Sequence, residues 1–131
     1  MVITKDNINE FIEGSSMDCS NKGITRLEYI PDGITSLWCY NNKLTELPKL
    51  PESLEYLSCI NNKLTTLPHL PEGLINLNCY NNKLTSIPKL PEGIIHLWCY
   101  ENNLPYEVTI ENLKEHNKLI KRKQILKRIC T

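Results

Sequence analysis

Apolar and polar positions alternate along this chain in a phase that returns every twenty residues. Leu54, Leu57, Cys59, Leu64, Leu67 and Leu70 fill six apolar slots, and Leu74, Leu77, Cys79, Leu84, Ile87 and Leu90 fill them again. Within one unit, Leu57-Ser58-Cys59 alternates between two faces, which is the period of a strand. The following Leu67-Pro68-His69-Leu70-Pro71 carries two prolines three apart, a spacing that prevents a helix and favours extended polyproline geometry. Each unit therefore predicts a strand on one side of a coil and a thin extended segment on the other. A fixed period of this length predicts stacked coils with parallel strands, not a globule around one central core.

The wording of the units is nearly identical. CYNNKLTELPKLPESLEYLS starts at Cys39, CINNKLTTLPHLPEGLINLN at Cys59 and CYNNKLTSIPKLPEGIIHLW at Cys79. A degenerate copy starts at Cys19 and a truncated one at Cys99. Asn42, Asn62, Asn82 and Asn102 share the slot just after the strand, where a recurring amide is expected to bond the backbone of neighbouring turns. Lys22 takes that slot in the first copy. Gly33, Gly73 and Gly93, with Ser53 as the exception, fall where the chain returns to the strand and are expected to relax a tight turn.

A stack needs covers for its apolar ends. Thr4, the apolar set Ile8, Phe11 and Ile12, and Gly14 predict a short helix from about Lys5 to Glu13. After Pro105, Thr109 predicts the cap of a second helix reaching about Ile129. Ile110, Leu113, Asn117 and Ile120 would share its docking face, with Leu119, Ile125, Leu126 and Ile129 on an adjoining one. The 131 residues then read as one domain: a helical cap over 1–16, about five repeats over 17–104 and a basic helix over 105–131.

The residues now carry a resemblance. The pattern resembles the leucine-rich repeat, in the short bacterial-effector variety with LPxLP on the convex side. It is similar to leucine-rich repeat proteins of giant amoeba-infecting (mimivirus-like) viruses in the CYNNKLTxLPxLPEGL wording and in the Lys-rich segment VTIENLKEHNKL. The resemblance spans residues 19 to about 120. It implies an α/β repeat solenoid with parallel strands on a concave face, a binding role and, through the viral likeness, a place in a host cytoplasm or a virion. It names no partner. Effectors with such repeats often carry a ubiquitin-ligase domain whose nucleophilic cysteine is followed two residues later by aspartate. No cysteine here has that neighbour, so the activity is not carried over.

Six cysteines in a short chain raise the question of disulfides. Cys19, Cys39, Cys59, Cys79 and Cys99 occupy one slot, so they stack as a row about 4.8 Å apart. An in-line row of parallel side chains reads as buried packing thiols. It does not surround a metal tetrahedrally, so no metal is expected. Cys130 is expected to be exposed at a mobile end. Asp6, Glu10 and Glu13 interrupt what a signal peptide needs, no apolar run is long enough to span a membrane, and the chain reads as cytoplasmic.

Strand slots that point away from the core hold the aromatic residues. Trp38 and Trp98 precede their cysteines; Tyr40, Ile60, Tyr80 and Tyr100 follow theirs; Ser36, Tyr56, Asn76 and His96 lie one alternation earlier. Both tryptophans and four of the six tyrosines fall on this one face. Such residues dominate interface hot spots, so the face is the candidate surface for a protein partner or a second copy of the chain. The alternative is that the rings stack along the sheet and only stiffen it. The net charge of zero hides a run of Lys118, Lys121, Arg122, Lys123, Lys127 and Arg128 with no acid between them. It reads as a solvated helix face, or as a contact for nucleic acid or an anionic membrane. His69, His96 and His116 are scattered, and there is no glycine loop to cradle phosphate. Neither an enzyme nor a cofactor is expected.

Overall fold

The computed structural model describes residues 1–130, with Cys130 described only as part of its helix. The expectation for the Cys130 thiol and the end of the expected 105–131 segment at Thr131 lie outside the described residues. Eight short strands and one α-helix build a stack of coils. They are β1 (Val2–Ile3), β2 (Ile12–Glu13), β3 (Ser16–Asp18), β4 (Arg26–Leu27), β5 (Ser36–Trp38), β6 (Tyr56–Ser58), β7 (Asn76–Asn78), β8 (His96–Trp98) and α1 (Leu113–Cys130). The main sheet runs β2-β3-β5-β6-β7-β8. From β3 onward it is parallel, and every residue pairs with the one twenty positions ahead: Met17 with Leu37, Leu37 with Leu57, Leu57 with Leu77, Leu77 with Leu97. This is the architecture of a leucine-rich-repeat solenoid.

The register follows from the six apolar slots. In the Cys59 coil, Leu44, Leu47, Leu50, Leu54, Leu57 and Cys59 are all buried, as are their counterparts in the next two coils. A slip by one residue would turn Leu57 and its equivalents outward, so burial alone locks the pairing. The core is one continuous column closed by Ile3 and Ile8 at one end and by Val108 and Leu113 at the other.

The recurring Asn-Asn pair after each strand splits into two roles. The second amide turns inward. Asn62 Nδ2 donates to the Cys39, Cys59 and Ile60 carbonyls at 3.0, 3.1 and 3.3 Å, and its Oδ1 accepts from the Leu44 N–H at 3.0 Å. Asn42, Asn82 and Asn102 repeat the pattern. The first amide stays outside. Asn21, Asn41, Asn61 and Asn81 hold left-handed backbone at φ 55 to 58°, which asparagine tolerates better than most residues. Their side chains form a surface chain: Asn41 to Asn21 at 2.8 Å, Asn61 to Asn41 at 2.6 Å, Asn81 to Asn61 at 2.7 Å. Glu101 has the same backbone, φ 56°, without an amide to continue the chain.

Each return to the strand is a turn closed by a proline carbonyl, as in Leu54 N–H to Pro51 O at 3.1 Å. Only Gly33, at φ 92°, needs glycine there; Gly73 and Gly93 lie outside the positive-φ region, which corrects the expectation that all three relax the turn. Ser53 fits the same non-strained turn and adds bonds to the Gly33 N–H and the Ile34 carbonyl, at 3.1 and 2.8 Å.

The front cover departs from expectation. In place of an α-helix over Lys5 to Glu13, one 3-10 turn (Ile8–Phe11) leads into β2, which folds back antiparallel on β3 through Gly14-Ser15. Gly14, expected to end a helix, instead makes the hairpin at φ 62°. The expected helix would have left the edge of β3 unpaired, whereas the hairpin satisfies it through backbone bonds. Across the coil, β1 pairs in parallel with β4. Thr4 accepts from Asn7 and Ile8 through its carbonyl and from the Asp6 N–H through Oγ1 at 3.2 Å, while Asn7 Oδ1 accepts from the Thr4 N–H at 2.8 Å.

At the back, α1 starts three residues later than a Thr109 cap would begin it. Thr109 and Asn112 exchange bonds, Asn112 Oδ1 accepting from the Thr109 N–H and Thr109 Oγ1 from the Asn112 N–H, so the capping box closes one turn ahead of the helix. Leu113 docks as expected, Ile120 is half-buried, and Ile110 is exposed instead of docked.

Candidate functional site

The parallel register sorts the outward strand slots into three columns. One holds Ser36, Tyr56, Asn76 and His96; the next Trp38, Ser58, Asn78 and Trp98. The third, beyond the strand ends, holds Tyr40, Ile60, Tyr80 and Tyr100. Trp38, Tyr56, Tyr80, Trp98 and Tyr100 keep 36, 42, 41, 41 and 47 % of their surface in water, while Tyr40 and Ile60 are half-buried. Together the five exposed rings leave on the order of 400 Å² of aromatic surface uncovered, divided between two groups. Ser20, in the same column as Tyr40, is buried and stands apart from this face, and its Oγ lacks a partner among the described residues.

The columns do not give an even carpet. Trp38 and Tyr56 are diagonal neighbours on β5 and β6. His96, Trp98, Tyr100 and Tyr80 gather around β8, with the His96 and Trp98 rings stacked at 5.5 Å and 3° between planes. Ser58, Asn76 and Asn78 lie between as a polar strip, and Asn78 Oδ1 accepts from the Tyr80 N–H at 3.2 Å. Ile95, 63 % exposed, adjoins the β8 group and escaped the sequence reading. Its slot holds Thr35, Glu55 and Ile75 in earlier coils, so residue type alone did not mark it.

The thiol row is dry. Cys19, Cys39, Cys59, Cys79 and Cys99 are all buried and unpaired by disulfides. Burial, with Asp18 nearby, pushes the Cys19 thiol up to about 12, and burial pushes Cys59 up to about 12. Cys39 is raised well above its ordinary value chiefly by burial, and Cys79 by its contact with the Cys99 thiol and by burial. The three middle thiols lie within reach of a carbonyl of the next strand: Cys39 of Ser58 O, Cys59 of Asn78 O and Cys79 of Trp98 O, at 3.5 to 3.6 Å. Cys79 Sγ also lies 3.5 Å from Cys99 Sγ. Such thiols are poor nucleophiles at neutral pH.

The three histidines are not brought together. His69 lies exposed on the convex segment and His96 exposed on the strand face. His116 is buried on α1, where Nε2 lies 3.0 Å from the Pro88 carbonyl and Nδ1 2.6 Å from the Tyr106 hydroxyl. A carbonyl only accepts, so Nε2 carries the proton and Nδ1 accepts from the tyrosine. Beside it, Asn117 clamps Leu90, donating to its carbonyl and accepting from its N–H, both at 2.8 Å. His116 is therefore a structural anchor. Its place between Leu113 and Ile120 on one helix face was readable from spacing.

The cations of the basic run lie on α1 past its docked half. Every side chain from Lys121 to Ile129 is exposed. Lys118 pairs with Glu115 at 3.5 Å in an exposed ion pair. No helix among the described residues is long and apolar enough to cross a membrane.

No protein-family model and no curated protein matches the chain. Among solved structures, YopM from Yersinia enterocolitica WA-314 is similar over 63 % of this chain, with 24 % identity and a TM-score of 0.46. The chain spans 25 % of YopM's length. At that score the likeness carries no argument, and the architecture stands on the parallel i to i+20 register itself.

Proposed function

We propose that this chain is a non-enzymatic recognition module that binds another protein, or a second copy of itself, through the open face of its parallel sheet. One observation carries the reading. Both indoles and three tyrosines are left 36 to 47 % exposed on a single face, while every inward slot of the same strands is aliphatic or cysteine and buried. Rings on a rigid sheet lose little freedom on binding, and the strip of Ser58, Asn76 and Asn78 between the two aromatic groups supplies orienting hydrogen bonds. Reduced packing thiols fit a cytosol. With the resemblance to repeat proteins of amoeba-infecting viruses, the reading places the module in an infected cell's cytoplasm or in the particle.

The test begins with light scattering on wild type and Trp38→Ala across a range of concentrations. A dimer that Trp38→Ala dissociates assigns the face to self-pairing. If both are monomers, partners are selected from a displayed library and retested against Trp38→Ala and Trp98→Ala. Loss of at least ten-fold in affinity, about 1.4 kcal/mol, is expected with the melting temperature unchanged. Partners that bind both variants as they bind wild type sink the proposal.

A further inference from the structure

We infer that the distal half of α1 is a docking surface for an anionic lipid membrane, on which the helix lies flat. At 100° per residue, Leu119, Ile125, Leu126 and Ile129 share the side of α1 opposite the docked Leu113, His116 and Ile120. All four are exposed, Ile129 by 74 %. By the same rotation Lys121 borders this aliphatic side along one flank and Lys123 along the other, while Lys118 and Arg122 sit within it, with Glu115, paired to Lys118, in the turn before. The run from Lys118 to Arg128 holds no acid. The Lys121 flank continues into a groove of about 500 Å³ between α1 and the convex segment of the last coil. Lys89 and Lys114 line it over a floor of Leu113 and Ile120, with Glu92 as the acid in its wall. Its room and charge suit a headgroup phosphate.

Charge and apolarity together select the occupant. A nucleic-acid duplex engages the cations and has no use for four exposed aliphatic side chains. Pairing α1 with a second α1 sets six cations against six, with Arg122 in the seam. An anionic bilayer uses both features: the aliphatic side enters the headgroup boundary and the flanking cations meet lipid phosphates.

The experiment is co-sedimentation of the full chain with vesicles of phosphatidylcholine alone and of phosphatidylcholine with about one-third phosphatidylserine at physiological salt. Binding is expected only to the anionic vesicles. Lys121→Gln with Arg122→Gln weakens it on the order of 20- to 30-fold, roughly five-fold per cation. Leu126→Ser with Ile129→Ser abolishes it. Both pairs are exposed, so circular dichroism and melting stay at wild-type values. Absence of binding to anionic vesicles overturns the inference. So does binding indifferent to the aliphatic substitutions, or tighter binding to duplex RNA with the same cation dependence. Trp38→Ala leaves vesicle binding unchanged, which separates a failure here from a failure at the strand face.

Discussion

Asn61 and Asn62 are the same residue type in the same phrase, yet the fold gives them opposite weight. Replacing Asn62 with alanine strips the Leu44 N–H of its acceptor and the Cys39 and Cys59 carbonyls of a donor, all inside the coil stack. The Leu44 N–H is left buried without a partner, at about 1–3 kcal/mol, while the Cys39 and Cys59 carbonyls keep Asn42 and Asn82 as donors and each lose one bond, so the whole loss amounts to roughly 2–6 kcal/mol. That is a large part of the roughly 5–15 kcal/mol that holds a domain folded. Replacing Asn61 with glycine removes two bonds of 2.6 and 2.7 Å, both at the surface where water takes them over. Glycine also accepts the φ of 56° without strain, so Asn61→Gly changes stability by less than about 1 kcal/mol. Urea unfolding followed by circular dichroism reads both. Asn62→Ala is expected to lower the midpoint steeply, with a reduced slope as coils on either side uncouple. A loss below about 1 kcal/mol for Asn62→Ala, or equal losses for the two variants, refutes the assignment of the inner amide as the joint between coils.

Three further outcomes follow from the same geometry. Cys19 and Cys59 are held at about 12 in the fold against 9.0 ordinarily, so the native state keeps protons that the unfolded chain releases. Stability is therefore full below about pH 9 and falls as pH rises toward 12, by on the order of 5 kcal/mol at pH 11 for these two thiols. A urea midpoint that stays level from neutral pH to about pH 11 contradicts this. His116→Ala removes the bonds to Tyr106 and Pro88 and opens a cavity, costing about 2–4 kcal/mol; α1 amides exchange faster while those of β5 to β7 stay protected. Glu101→Asn suits the left-handed backbone and adds a donor for Asn81, raising stability by about 0.5–1 kcal/mol in the same urea assay.

The solenoid was readable because each coil repeats one physical solution. Leu57 and Cys59 alternate, two prolines forbid a helix, and copies twenty residues apart leave only one register that buries all of them. The front cover was not readable on the same terms. Ile8, Phe11 and Ile12 satisfy a helical face, and only the demand of the β3 edge for backbone partners, a property of the assembled sheet, decides for a hairpin. The columns of the strand face followed from alternation, but their division into two aromatic groups around Ser58, Asn76 and Asn78 needed strand neighbours in place. The anchoring by His116 was hidden because its partners, Pro88 and Tyr106, sit 28 and 10 residues away in sequence.

The two ends of the column are fastened differently. The first coil is stitched to its cover by main chain on both sides, through β1 on β4 and β2 on β3, whereas α1 is fastened to the last coils by its apolar face and by side-chain clips at Pro88 and Leu90. A tug on the C-terminus meets a few side-chain clips and then unravels the winding turn by turn, each at similar low force. A tug on the N-terminus must first tear two backbone seams. The molecule is thus a spool with one tied end and one loose end, and its mechanical response has a direction that its repeated wording does not.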